Sequence, residues 1–337
     1  MSDPDALAAL VERLRADSSI AILEQAEGEL KQHLQDALSG PLDGGAIREL
    51  ASLQQRIGFL PKYKSYAVKA ASPLGYSVFL QRPGEGFSFQ QHIEHKTELF
   101  YVLDVLPGGY VFLCDFEEWR RVYDRDEFLA WLGGKPDPRY ERWKLVPEPG
   151  DVIIIDKLNV VHSVIGCTLV EFATVSTDMV DRLHDQNEGH KIPAEFNRDF
   201  TEERLRRLAW PGASQRVSFE GGEWRRHGIP THPIRGGVRT VFDDGLVGAA
   251  SFRIDPGADS ELSMDTQRAV CLHVVEGAGR LVLGDEAEVR RVSPPALAAR
   301  AGDLFFVAPG AHYGFVNDGT TPLTVAEHKI LSSTAFV

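Results

Sequence analysis

One phrase occurs twice in this chain and limits its fold more than any other feature. "EPGDVIIIDKLNVVHSV" (148–164) and "RAGDLFFVAPGAHYGFV" (300–316) each read Gly-Asp, a short apolar run, a turn, a histidine and a second apolar run. Short β-branched and aromatic runs bounded by Gly and Pro are the signature of strands. Their recurrence in two halves of a 337-residue chain points to an internal duplication of one β-rich unit, too few copies for a solenoid.

The intervening sequence fits that division. Over the first 60 residues, apolar positions recur at helical spacing (Leu7, Leu10, Val11, Leu14, then Leu30, Leu34, Leu38), interrupted by Gly40-Pro41 and Gly44-Gly45. From Tyr63 onward the texture becomes strand-like, in "YSVFLQ", "ELFYVLDV" and "GYVFLCDF". Residues 116–142 break the strands with "EEWRRVYDRDEFLAWLGG", whose Trp119, Val122, Phe128, Leu129 and Leu132 suit one or two amphipathic helices laid over the sheet. These boundaries predict a mainly β protein: a helical extension over 1–60, a first β-domain over 61–190, a connector over 191–235 and a second β-domain over 236–337.

Composition narrows the function classes. A net charge of −13 opposes nucleic acid and anionic membrane surfaces at long range, and no apolar run approaches a membrane span. The first residues are acidic and helix-patterned rather than basic and then apolar, so no export signal is expected and a cytoplasmic address follows. Cys114, Cys167 and Cys271 are odd in number and scattered, which predicts buried thiols rather than a disulfide framework.

The chemistry concentrates in "QQHIEHKTELFYVL" (90–103). On a strand, Glu98, Phe100 and Val102 share one face, so an inward Glu98 places a carboxylate in an apolar interior. Nearby imidazoles supply the nitrogen donors with which a divalent transition metal would meet that cost. His92, His95 and Glu98 lie in the segment, and His162 closes the Gly-Asp unit further on. A one-residue bulge would turn both His92 and His95 inward; without it, Glu94 takes the place of His95.

"GFSFQQHIEHKTELFYVL" with "GDVIIIDKLNVVHSV" resembles the two motifs of the cupin superfamily, and the second Gly-Asp…Pro-Gly-Ala-His unit makes the chain resemble a bicupin. The resemblance covers about 65–185 well and 236–337 loosely. It implies two jelly-roll barrels, and in the first one divalent ion (Fe, Mn, Zn, Ni or Co) held by His92, His95, Glu98 and His162. The second half shows no His pair and Glu. Asp265 and Gln267 are weak stand-ins there, and only His312 persists, so that barrel is expected to support, cap or dimerise.

"HKTE" and "VEFATVSTDMVDRLHDQN" resemble segments of sugar-handling cupins. This implies a metal-dependent isomerase or epimerase of a sugar or sugar phosphate, proceeding through an enediolate. Glu94 or Lys96 would carry the proton, while Lys157, Asp181 and Arg182, with Asp178, would contact substrate. Asp156 and Asn159 fit ordinary turn chemistry. The same ligand types would also serve a non-haem iron oxygenase, and a non-catalytic carbohydrate-binding bicupin is the third expectation. A small-molecule partner, no nucleic acid, no membrane and a homodimer complete these expectations.

Overall fold

The structure is a computed structural model that describes residues 43–62, 67–70, 75–92, 97–155, 160–173, 179–182, 205, 207–220, 223–243, 245 and 247–331. The architecture is mainly β, in two barrels. Strands of the first follow the hydrogen-bonded path Phe59–Lys62, Ala67–Ala70, Gly75–Leu80, Val160–Ala173, Glu98–Asp115, Asp151–Ile155, Gln215–Glu220 and Glu223–Gly228, with Gln90–His92 pairing off Val160–Ala173. The second barrel divides into a six-stranded sheet, which contains Arg268–Glu276 and Leu323–Leu331, and a four-stranded sheet, which contains His312–Val316 and Ala278–Gly284.

Two long strands shape the first barrel. Glu98–Asp115 pairs antiparallel with Val160–Ala173 along its length, but the register shifts between Val102 and Asp104 and again between Val105 and Tyr110. Such shifts bend a strand. At the bend Gly166 adopts φ +61°, and a Cβ placed on Gly109 would meet the Gly166 carbonyl oxygen at 2.6 Å. Glycine at both positions lets the backbones close up, so each strand serves one wall of the barrel with its first half and the opposite wall with its second.

Val160–Ala173 is buried along nearly its whole length, which explains why it reads as a continuous apolar run rather than an alternating one. One face points into the barrel with Phe79, Phe100, Val102 and Ile153. The other face is covered differently at its two ends. Val170 and Phe172 pack in the core between the barrels with Tyr76, Cys271 and Phe306. Val161 packs under the insertion with Phe89, Phe112, Trp119, Phe128, Trp131 and Trp143.

The insertion forms three short helices, Phe116–Val122, Arg125–Leu132 and Pro138–Glu141, where the sequence suggested one or two. Each is started by an aspartate, Asp115, Asp124 or Asp137, whose carboxylate accepts backbone N–H groups of the first turn.

The helix Gly44–Ile57 is capped by Asp43 and stopped by Gly58 at φ +62°. Although it leads directly into the first barrel's strand Phe59–Lys62, it docks on the second: Ile47 and Ala51 join that barrel's core, and Arg48 meets Glu288 at 2.6 Å. The stretch read as a connector also contributes strands. Gln215–Glu220 adds in parallel to Asp151–Ile155, and Thr231–Ile234 pairs within the second barrel. No described helix is long and apolar enough to cross a membrane.

Candidate metal centre

Three of the expected donors converge. One ligand atom each of His92, Glu98 and His162 lies within 4.8 Å of the others, and all three residues are buried. The Glu98 carboxylate approaches His162 Nε2 at 3.0 Å and His92 Nε2 at 3.6 Å. The two imidazoles stack with centroids 5.3 Å apart. Among the described residues this is the one group of three or more His, Cys, Asp or Glu side chains placed to hold an ion.

The fold explains the convergence. Glu98 opens the first half of its long strand, opposite Ile155 and Ala173. His162 begins the other long strand, opposite Leu113 and Gln90. These lie on facing walls, and the glycine bend brings them together. Alternation does the rest: Val161 turns outward into the insertion's aromatic core while His162 turns inward. The three inserted helices therefore brace the back of the strands that carry the site.

The donor set fits a divalent transition ion. His162 Nδ1 lies 3.3 Å from the Val160 carbonyl, which assigns its proton to Nδ1 and leaves the Nε2 lone pair directed at the Glu98 carboxylate. Two lone-pair-bearing atoms 3.0 Å apart repel in a buried site unless a cation or proton lies between them. Ligands bound at about 2.1 Å stand roughly 3 to 4 Å from one another, close to the spacing seen here. Phe87 and Phe100 flank His162 with ring centroids at 6.3 and 6.2 Å, so water is displaced from one side of the cluster.

Sequence reasoning missed Gln90. It lies two positions before His92 on the same strand face and is buried, with its side-chain amide 3.0 Å from His162 Nε2. An amide group at that nitrogen can donate to it or, turned over, offer its oxygen to an ion. The signal was the period of two: residues 90 and 92 share a face.

Other expected site residues are placed as follows. Glu94, His95, Lys96, Asp156, Lys157, Asn159 and Asp178 lie outside the described residues. Asp181 belongs to the strand Met179–Asp181, whose backbone pairs with Gln90–His92. Arg182 donates to Gln91 Oε1 and lies 4.4 Å over the Phe116 ring. Gln91 alternates with Gln90 and His92, so Arg182 is engaged on the outer side of the strand, towards the insertion.

The second barrel shows what replaced the cluster. Register gives the correspondence: Leu113 pairs with His162 as Leu283 pairs with Tyr313, and Ile155 pairs with Glu98 as Val307 pairs with Val270. Tyrosine and valine therefore stand where the first barrel has histidine and glutamate. Tyr313 joins the barrel core and His312, half-buried, takes the other face of its strand. His312 does not occupy the position of His162. Asp265 caps the turn to Gln267 and Arg268 and pairs with the Arg268 guanidinium. The buried Glu327 accepts from Tyr313 Oη at 2.6 Å and pairs with Arg239 at 3.1 Å and Lys329 at 3.3 Å. This is an internally compensated ion network.

A cavity of about 270 Å³ opens in the first barrel's sheet, and none of His92, Glu98 and His162 lines it. Its lining includes Leu113 and Ile155, the register partners of His162 and Glu98, and it is completed by Val160 and the strand segment Arg216–Phe219.

No family model matches the chain, and no curated protein matches it. Among solved structures it is similar to an oxalate decarboxylase, at 14% identity over 82% of this chain and 75% of that one, with a TM-score of 0.51. It is also similar to a single-residue variant of the Bacillus subtilis oxalate decarboxylase, at 14% identity over 80% and 74%, with a TM-score of 0.50. The likeness establishes the bicupin fold across both barrels.

Proposed function

We propose that the first barrel is the active site of a metal-dependent enzyme acting on a small molecule. The observation that carries this is the buried convergence of His92, Glu98 and His162 from two facing walls. These three residues would hold the ion, with Gln90 beside them. A divalent ion there supplies Lewis acidity towards an oxygen of the substrate. The chain's own contribution is to orient the imidazoles through bonds such as His162 to the Val160 carbonyl and to exclude water with Phe87 and Phe100.

The finer proposal is an isomerase or epimerase of a sugar or sugar phosphate. Its support is the resemblance of "HKTE" and "STDMVDRLHD" to sugar-handling cupins, with Glu94 or Lys96 moving the proton and Lys157, Asp181 and Arg182 as the substrate contacts. A second reading is an oxygenase, which the same ligand types would serve. Imidazole and carboxylate donors suit non-haem ferrous iron as well as a Lewis-acidic divalent ion.

Metal analysis of protein purified without chelator tests the proposal. Stoichiometric metal that disappears in His162→Ala supports the site; absence of metal from the wild type leaves a carbohydrate-binding bicupin and overturns the enzyme. Solvent deuterium entering an aldose or ketose would select the isomerase, whereas substrate-dependent oxygen uptake by an iron-loaded protein would select the oxygenase. Oxalate, the substrate of the neighbouring decarboxylases, belongs in the same substrate panel.

A further inference from the structure

The first barrel holds a second inward carboxylate that the metal cluster does not use. Glu171 lies on the strand Val160–Ala173, opposite Phe100 on one side and Ser77 on the other. Its neighbours Val170 and Phe172 pack outward between the barrels, while Leu169 packs inward with Phe79 and Phe100. Alternation therefore turns Glu171 into the interior. Glu98, opposite Ala173, stands one diagonal step away, a Cβ separation of about 7 Å. Phe100, the direct partner of Glu171, has its ring centroid 6.2 Å from that of His162. Glu171 is thus beside the cluster without belonging to it.

Solvent reaches this part of the interior. The inward-facing Val102, Ile153 and Leu169 are fully enclosed, whereas Gln90 and His92 keep 8% exposure and Glu171 9%. The second barrel shows a closed version of the same position. Glu327 lies opposite Leu272 and Ala250 as Glu171 lies opposite Phe100 and Ser77. It is 1% exposed and is held by Tyr313, Arg239 and Lys329. By the same register the first barrel has His162, Ala67 and Ala173 at those three positions. Two long cationic side chains that fill the second barrel are therefore missing from the first.

We infer that Glu171 is a specificity-determining residue of the first barrel, accepting a hydrogen bond from a hydroxyl group of the molecule presented to the ion and disfavouring a carboxylate there. The inference rests on the metal-dependent reading above and adds the class of substrate, a hydroxylated molecule rather than a short dicarboxylate. Glu171 is already engaged within the protein, but a carboxylate has about four acceptor sites, so such an engagement leaves acceptors for a ligand. Because a carboxylate only accepts, its partner must donate. An ammonium donor is opposed by the charge of the neighbouring divalent ion, which leaves a hydroxyl. A second anion brought against Glu171 would meet like-charge repulsion in a poorly screened interior.

Water-proton relaxation of the full-length protein loaded with Mn(II) reports ligands that reach the ion, and titrations with xylitol and with oxalate test the assignment. In Glu171→Gln the expected result is weaker xylitol binding and oxalate binding at least about tenfold tighter, with Mn(II) affinity unchanged. Lost packing alone would weaken both ligands, so movement in opposite directions is the signature. Glu171→Asp keeps the charge and withdraws it by one methylene. It should weaken xylitol and leave oxalate near the wild-type level, and it carries the test alone if the Gln variant does not fold. Unchanged affinity for both ligands in a folded variant, movement of both in the same direction, or no response of the wild type to either ligand overturns the assignment. Failure of the wild type to bind Mn(II) overturns the metal-dependent reading as well; bound Mn(II) with ligand affinities independent of Glu171 sinks this inference alone.

Discussion

Gly109 and Gly166 face each other at the bend of the two long strands, with the Gly109 Cα only 3.1 Å from the point where a Cβ on Gly166 would stand. Glu98 precedes this crossing on one strand and His162 precedes it on the other. Their 3.0 Å approach is therefore a consequence of how tightly the strands fold over. Gly109→Ala would drive a methyl against the Gly166 carbonyl at 2.6 Å, and we expect a loss of about 1–3 kcal/mol. The variant should melt lower and bind metal more weakly. An unchanged melting temperature with unchanged metal content would show that the crossing tolerates a methyl and does not set the site.

His162 is buried and bonded through Nδ1 to the Val160 carbonyl. Its replacement by alanine should weaken metal binding by roughly 100-fold or more, beyond the effect typical of an outer hydrogen-bond partner. Far-UV circular dichroism should remain that of the wild type. His312→Ala should leave metal content unchanged, since Tyr313 rather than His312 takes the inward position. Metal loss in the His312 variant, or retention in the His162 variant, would reverse the assignment of the two barrels.

Gln90 separates two roles that geometry alone allows. A glutamine that coordinates the ion or bonds its ligand should cost about 10- to 100-fold in metal affinity when changed to leucine, which has a similar volume. A glutamine that only fills space should cost little. Equilibrium competition with a metal indicator measures the difference, and wild-type affinity in Gln90→Leu would remove Gln90 from the site.

The sequence carried the candidate site unevenly, for identifiable reasons. Glu98 and His162 sit in phrases whose strand alternation determines which way they point, so their meeting was legible once a closed barrel was assumed. Gln90 lies outside the histidine and glutamate pattern that runs forward from His92 to Glu98, although the same strand alternation extends backward to it. His312 was misleading because a one-residue change of phase exchanges inward for outward side chains, and "AHYGF" offers His312 and Tyr313 with equal ease. The docking of the helix Gly44–Ile57 on the far barrel depends on contacts such as Arg48–Glu288, which join distant segments and leave no local trace. The strand Gln215–Glu220 was hidden in the same way, its pairing with Asp151–Ile155 being a long-range, parallel one.

We expect the contact between the barrels to be sensitive to acid. His273 and His328 are fully buried there, His273 Nδ1 lying 3.3 Å from Tyr76 Oη and the His328 ring 5.1 Å from that of Tyr76. Burial pushes both imidazoles down to about 3, and for His328 the neighbouring His273 adds to the effect. Both are neutral in the folded protein over most of the acid range, whereas in the unfolded chain they take up protons below an ordinary value of about 6.5. The unfolded state then binds more protons, and stability falls as pH drops from about 6.5 towards 3. At pH 5 the loss is about 2 kcal/mol for each histidine. Denaturant melts at pH 7.5, 6 and 5 should show this slope, and His328→Phe, which removes one titrating group from an aromatic surrounding, should flatten it by about half. A slope unaltered in that variant would place the acid sensitivity elsewhere in the molecule.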